Sequence, residues 1–417
     1  MPVPVDPSSQ VDAPKQGLFR ISRESCCAVR LAFDQWSFRI TPARLILLAL
    51  TAAAVAILIL RLLLGLGGHV PVLGYVTHLT DDWPWGLWIT RDLCGVALAG
   101  GGYGTALMLY VLGNGKLKPI ARATLLSSLI GYILVVTSLF IEIGRYWNFW
   151  RPATNPGHES ILFEVFICVS LYTIVQTLKL CEIITEKVFC MFHRFFVTVM
   201  PFLLIVGIVL PTLHQSSLGA LYLMMDEKLH PLWFSSHIFI FFLLSSFFVG
   251  PAMIAVESVL AYFAYKRLAP LPVLKMLAKI GGWMMVIYLV LKFADLAYHE
   301  KLHLIFDGSY ESVAFMAEIG IGILLPLCIV FTPLVNYRVW IVVYGFLTAF
   351  GVVMNRMNVI MIGMSRTADT PYFPSGMEIV LTIGLVTGGI LVYMFLCENF
   401  NILGAYEKVD EKTEPVA

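Results

Sequence analysis

The sequence predicts an all-α polytopic membrane protein of about ten transmembrane helices, and three observations carry that prediction. The first is composition: of 417 residues, 59% are hydrophobic and 13% charged, whereas soluble domains are about 45–50% apolar and about 25% charged. There is too little polar surface to cover a water-soluble fold, and the mean hydropathy of +0.83 agrees. The second is run length: the apolar residues form unbroken stretches of roughly 20 residues, enough to cross a hydrocarbon core of about 30 Å, where a β-barrel strand would alternate over about 10. The third is the high content of aliphatic residues together with 13% aromatics, which excludes disorder.

Taken in order, the runs lie at 45–65, 86–113, 120–142, 160–186, 195–222, 232–264, 278–300, 312–333, 339–363 and 376–399. Breakers separate them: Gly65 to Pro84, Gly113 to Pro119, Asn148 to Pro156, Arg267 to Pro272, and Pro371 to Pro374. The sixth run is long enough to hold a kink, expected at Gly250-Pro251. Lysine and arginine set the orientation: 18 fall on the side of the termini, 5 on the other side, and 5 within spans. By the positive-inside rule both termini are expected in the cytoplasm. The loops with Asp81-Asp82, Trp147 to Glu159, His230, Asp307 and Tyr372 are then expected outside, with Trp83, Trp85, Trp88, Trp147, Trp150 and Trp233 as an outer aromatic belt. The first long run begins at Leu45, behind a largely polar segment of 44 residues, which is not the pattern of a cleavable signal peptide. Within that segment, 15–44 reads equally as an amphipathic surface helix and as a plain tether.

A faint internal echo organises the middle of the chain. Pro84-Trp85 opens spans 2–5, with Glu142 and Glu164 22 residues apart; Pro231-Leu232-Trp233 opens spans 6–9, with Asp295 and Glu318 23 apart. The expected division is a cytoplasmic segment 1–44, a first span 45–65, a four-helix bundle 86–222, a second bundle 232–363, a last span 376–399 and a cytoplasmic tail 400–417.

A net charge of +1 gives no basic field for nucleic acid. The eight cysteines are scattered and form no Cys-x-x-Cys pair, so no iron–sulfur or zinc site is written in the chain. The nine histidines lie in outer loops or near span ends, with His193 at the inner surface. None faces another at mid-membrane, so intrinsic b-type haem is not expected.

Ionisable residues within a bilayer cost about 2.5–3.5 kcal/mol each on insertion scales and need partners or a function. Seven are expected at one shallow outer depth: Asp92, Glu142, Glu164, His214, Asp295, Glu318 and Arg356. Glu257, Lys179, Glu182 and Lys292 lie deeper. Carboxylates, a histidine, Tyr146 and Arg145 at shallow depth suit a quinone headgroup, because quinol oxidation needs a proton acceptor at each ring oxygen. The electron acceptor would have to come from a partner. A proton- or ion-coupled transporter is the main alternative, although its site usually lies at the midplane; a plain membrane anchor is the third. Gly100-Gly101-Gly102 with Gly104 follows no strand and reads as close helix packing.

Several blocks resemble the NrfD/PsrC family of membrane subunits, in particular its ten-helix branch typified by the membrane subunit of periplasm-facing nickel–iron hydrogenases. They are Trp83-Pro84-Trp85-Gly86-Leu87-Trp88 with Asp92; Glu142 followed by Gly144-Arg145-Tyr146-Trp147-Asn148; Leu162-Phe163-Glu164; Pro211-Thr212-Leu213-His214-Gln215-Ser216-Ser217; His230-Pro231-Leu232-Trp233; and Tyr372-Phe373-Pro374 with Glu378. The likeness runs from about residue 70 to 400. It implies a cofactor-free, quinone-reactive subunit of a larger oxidoreductase in the bacterial cytoplasmic membrane. The quinone, menaquinone for preference, would bind near the outer face. The implied partners are a periplasmic ferredoxin-like iron–sulfur subunit and either a multihaem cytochrome c or a catalytic subunit such as a hydrogenase or a molybdenum enzyme. Proton translocation is a further family expectation. Glu142 stands where the hydrogenase-type pattern has Asp, and the segment to Arg44 lies outside the likeness.

Asp92, Glu142, Arg145, Tyr146, Glu164 and His214 are the expected quinone site. For Arg145 a structural pair with Glu142 or Glu164 is the competing expectation; for Tyr146 it is an interface anchor. Glu257, Asp295 and Glu318 are the expected proton path. Against this, Asp295, Glu318 and Arg356 could form a neutral structural triad, and Glu257 a carboxyl bonded to backbone.

Overall fold

In the computed structural model, the described residues are 36–65, 68–71, 73–80, 83, 85–157, 159–186, 190–365, 372–403 and 406–408. The expectations for Asp81-Asp82, for most of the 1–44 segment and for the last residues of the tail lie outside them, as do Pro84, His158, Arg366 and Pro371. Among the described residues ten helices are long and apolar enough to span a bilayer: α1 Pro42–Leu64, α2 Leu87–Val111, α3 Gly115–Glu142, α4 Ile161–Thr185, α5 Met191–Met225, α6 Ile238–Tyr265, α7 Leu271–Tyr298, α8 Tyr310–Val330, α9 Arg338–Ile362 and α10 Gly376–Asn399. An even number of crossings returns the chain to the side on which it began. Residues 36–41 and 400–408 therefore share a terminal face; the opposite side is the far face.

Several boundaries differ from the apolar runs, each for a local reason. α6 begins at Ile238, and Pro231-Leu232-Trp233 forms a turn ahead of it, where Trp233 N–H donates to the His230 carbonyl (3.0 Å). α7 begins at Leu271, because Pro272 sits in its first turn, where a missing N–H costs nothing. α3 opens with a 3₁₀ segment, Gly115–Ile120, that contains Pro119. α6 continues through Gly250-Pro251 as one helix. Gly250 acts there as a contact: a Cβ on it would lie 3.0 Å from the Gly100 carbonyl carbon.

The glycine run of α2 packs as its spacing predicts. A Cβ on Gly100 would lie 2.7 Å from the Ser246 carbonyl oxygen, one on Gly101 3.2 Å from that of Gly250, and one on Gly102 2.4 Å from Ser128 Cβ. Gly104, by contrast, faces open space. α8 and α9 cross more closely still, with Gly351 against Gly322 backbone to backbone. π-helical turns follow in Gly320–Leu324 of α8 and Asn358–Ile362 at the end of α9.

α2 to α5 pack on one another, as do α6 to α9, while α6 also lies against α2 and α5. A single apolar core runs through all of these helices. α1 and α10 form an outlying antiparallel pair against α2 and α3. At the terminal face Arg44 and Glu398 join this pair through a buried, two-pronged ion pair (2.5 and 3.1 Å). Midway, Thr51 and Thr387 hydrogen-bond at 3.0 Å. A two-residue strand, β1 (Arg267–Leu268), pairs antiparallel with β2 (Glu407–Lys408) and fixes the tail to the α6–α7 loop.

The expected aromatic belt divides in two. Trp147 and Trp150 are exposed, but Trp83, Trp88 and Trp233 are buried and plug the far-face ends of the helices. Their large rings fill space that short loops cannot.

Candidate functional site

Far-face charge is the feature the sequence singles out, and the structure sorts it into three groups. The first is a polar row inside α2–α5. Asp92 on α2 is buried, and its Oδ1 makes no hydrogen bond within the chain. His214 on α5 is fully buried beside the Val165 backbone of α4; neither ring nitrogen has a hydrogen bond of ordinary geometry, and its ring lies 5.9 Å from that of Tyr132 on α3. Tyr132 packs edge-on to Tyr172 at 4.3 Å. From there the row continues toward the terminal face: Gln176 Nε2 donates to Tyr172 Oη (2.6 Å) and Ser128 Oγ (3.1 Å). The hydroxyls of Tyr132 and Tyr222, the amide nitrogen of Gln215 and the amide oxygen of Gln176 also have hydrogen-bonding capacity that the chain does not use. Such groups cost about 1–3 kcal/mol each unless water or a ligand meets them. The row is thus suited to polar guests and protons.

Glu142 heads the second group, at the junction of α1, α2, α3 and α10. Its Oε1 accepts the Gly86 N–H (2.9 Å), and Tyr372 Oη accepts the Leu87 N–H (3.1 Å). Glu142 and Tyr372 therefore cap the N-terminus of α2, an electropositive helix end where acceptors are favoured. Arg61 of α1 is buried here and donates to the Ile141 carbonyl (3.0 Å), with two guanidinium nitrogens to spare. Glu378 closes the group. Its oxygens accept from Thr77 Oγ1, the His78 N–H (3.2 Å), Tyr372 Oη (2.7 Å) and the Ser375 N–H (2.8 Å). Burial, reinforced by Glu378, raises the Tyr372 phenol above its ordinary pKa.

The third group lies in α6–α9. Glu318 accepts from Trp233 Nε1 (3.0 Å), Asn355 Nδ2 (2.7 Å) and Asn358 Nδ2 (2.9 Å). Asn355 turns its oxygen to Arg356 Nη1 (2.5 Å), while Arg356 Nη2 donates to Ser245 Oγ (2.5 Å) and its guanidinium lies 3.6 Å above the Phe242 ring. Asp295 stands apart from this chain. It binds Ser235 Oγ (2.8 Å) and His237 Nδ1 (3.1 Å), with His299 at 3.6 Å. The expected triad of Asp295, Glu318 and Arg356 is therefore a relayed Glu318–Asn355–Arg356 chain plus a separate Asp–His cluster.

The six expected quinone-site residues do not converge. Asp92 and His214 share the buried row; Glu142 caps α2. Arg145 is exposed and, among the described residues, pairs with neither Glu142 nor Glu164. The turn after Glu142 swings its side chain outward. Tyr146 donates to the Leu62 carbonyl at the end of α1 (3.3 Å), which is an anchoring contact. Glu164 is exposed and accepts from Ser217 Oγ (2.6 Å), linking α4 to α5. Deeper, Glu257 bonds to side chains and not to backbone: Tyr393 Oη and Ser127 Oγ (3.3 Å). Tyr132, Tyr222, Arg61 and Arg91 are site neighbours that sequence reasoning passed over. Tyrosines in apolar helices carry no charge signal, and a lone arginine does not reveal which way it faces.

Arg91 opens the last feature, a partly open crevice of about 700 Å³ between α1, α2, α3, α6 and α10. Nearly all of its wall is apolar. Arg91 lies at its far-face end, Glu257 and Tyr393 in its wall, and Arg44 and Tyr265 at its terminal-face end.

Comparisons with known proteins match most of the chain. A family model described as "Polysulphide reductase, NrfD" matches residues 75–368. A protein of Nitratidesulfovibrio vulgaris is 33% identical over 369 residues, covering 85% of this chain and 94% of its own length. The probable Ni/Fe-hydrogenase 2 b-type cytochrome subunit of Escherichia coli is 32% identical over 347 residues, covering 81% and 88%. The menaquinone reductase integral membrane subunit of N. vulgaris is 31% identical over 235 residues, covering 53% and 55%.

Proposed function

The chain belongs to the NrfD family of membrane subunits, and from that premise we propose that it is the quinone-reactive subunit of a respiratory redox complex. One observation carries the reading: a row of buried polar groups, Asp92, Tyr132, His214 and Tyr222, with hydrogen-bonding capacity unused by the chain, lies inside a segment matched by the family model. The name of the menaquinone reductase relative supports the same reading and favours menaquinone. The "b-type cytochrome" in another relative's name belongs to that protein. In this chain the two histidines within spans, His193 and His214, lie 21 residues apart on one helix, about 31 Å at 1.5 Å per residue. They do not form a haem-ligating pair.

A quinol gives up two electrons and two protons on oxidation. In our assignment its ring lies at the far-face end of α2 and α3, beside Arg91 and Asp92, where Asp92 is the first proton acceptor; His214, Tyr132 and Tyr222 carry the protons on inside the bundle. Glu142 holds the start of α2, and with it the depth of Asp92. Electrons pass at the far face to an iron–sulfur partner, which joins a hydrogenase or multihaem cytochrome c; the far face is then periplasmic. Glu257, Asp295 and Glu318 are assigned to proton movement. Asp295, with His237 and His299, forms the surface end of that route.

The test is purification of the complex from native membranes in mild detergent, with organic extraction of bound quinone. The expected result is quinone near one per complex, an iron–sulfur partner and quinone-dependent turnover. A chain that purifies alone without quinone would overturn the reading in favour of transport. A redox complex with neither quinone nor quinone dependence would leave a plain anchor.

A further inference from the structure

The crevice between α1, α2, α3, α6 and α10 runs deeper than a binding pocket at the far face requires. On α2 its lining extends from Arg91 to Gly101. Gly101 is level with Gly250 of the parallel α6, whose carbonyl oxygen an added Cβ would meet at 3.2 Å. Below that level the lining continues along α6 to Tyr265, the last residue of the helix. Ten residues of α2 and fifteen of α6 give a length of about 37 Å at 1.5 Å per residue. A hydrocarbon core is about 30 Å thick, so one leaflet offers about 15 Å. The crevice therefore crosses the midplane and traverses both leaflets.

That length selects the occupant. The acyl chain of a phospholipid ends near the midplane and would leave half of the crevice empty, whereas a long polyisoprenoid chain can fill it. The wall suits such a chain. It is almost wholly apolar, with small residues (Gly95, Ala99, Gly131 and Gly389) hollowing it on three helices. Its volume of about 700 Å³ falls within the usual range for ligand sites. Glu257, the acidic group in its wall, is engaged by Tyr393 and Ser127. The single charged group at the far-face end of the lining is Arg91. Its guanidinium is fixed by Ser138 Oγ and the Leu134 carbonyl (2.9 Å), next in sequence to Asp92.

We propose that this crevice holds the isoprenoid tail of the quinone, with the ring end at Arg91 and the chain emerging beside Tyr265. The inference rests on the quinone reading above and adds the position of the tail, on the opposite side of α2 and α3 from His214. α1 and α10 then serve as the outer wall that keeps the tail out of the bulk lipid.

The test uses the whole complex with two photoreactive probes: a long-tailed menaquinone carrying a diazirine in its tail, and a phospholipid carrying one in its acyl chain. The expected result is quinone labelling of α6 between Met253 and Ala264 and of α10 between Val386 and Met394, competed by unlabelled menaquinone. Labelling of those segments by the phospholipid alone, or quinone labelling confined to α4 and α5, would overturn the inference. Because quinone would still co-purify in either case, the functional reading would survive. As a second measurement, Ala264→Trp should raise the ratio of KM for a long-tailed quinol to KM for a tail-truncated one by about tenfold, the worth of roughly two displaced methylenes. Ala264→Val, a milder change, should move the ratio the same way by less. An unchanged ratio in both variants would overturn the inference.

Discussion

Three side-chain N–H donors, from Trp233, Asn355 and Asn358, converge on Glu318. An amide at this position would offer one oxygen and turn its NH₂ toward a donor. Glu318→Gln should therefore lower stability by about 1–3 kcal/mol, read as a fall in the thermal midpoint of the solubilised complex. An unchanged midpoint would mean the three contacts contribute little. Asp92 and His214 call for a different experiment, because their unused capacity points to chemistry. Asp92→Asn and His214→Gln preserve volume and should leave assembly intact. Each should lower quinone-dependent turnover by about a hundredfold or more, within the about 10²–10⁴ that a positioned acid or base contributes. Arg145→Gln, by contrast, should leave turnover within about twofold, since its exposed side chain pairs with neither carboxylate.

At the scale of elements, the α1–α10 pair rests on small residues and one buried ion pair. A Cβ on Gly384 would lie 2.2 Å from that of Ala54, so the helices touch there without intervening side chains. Arg44 and Glu398 join them where both side chains are 5% exposed. Removing one partner leaves an uncompensated buried charge, at a cost of about 3–5 kcal/mol, whereas replacing both with apolar groups is often neutral. Glu398→Met should thus destabilise the solubilised protein clearly, and the double variant Arg44→Met, Glu398→Met should recover most of the loss. A double variant as unstable as the single one would show that the pair adds more than mutual neutralisation.

For the whole molecule, the far face carries exposed aromatic side chains on two separate loops, Trp147, Phe149 and Trp150 on one and Phe306 on the other. Under the proposed function this is where the redox partner sits. Hydrogen exchange of the complex should show protection of residues 144–156 and 302–309 that is lost when the partner is stripped away. The α6–α7 loop on the terminal face should exchange alike in both states. Protection on the terminal face in place of the far face would reverse the assigned orientation.

Ten helices and their order were legible in the sequence because the bilayer imposes a length of about 20 apolar residues on every span. The family was legible because blocks such as Gly144-Arg145-Tyr146-Trp147-Asn148 are specific. Depth could be read as well: Asp92, Glu142 and His214 do lie toward the far face. Which residues meet could not. A depth is a position along one axis, whereas a contact also depends on how each helix is rotated and where its loop turns. So the sequence placed Arg145 beside Glu142, although the turn that follows carries it outward. It counted Trp83, Trp88 and Trp233 as a surface belt, although they are buried plugs. It left Glu257 without a partner, although Tyr393 lies 136 residues away in the chain and against it in space. The long crevice exists only in the assembled protein, because its walls come from five helices and the small residues that hollow it sit on three of them.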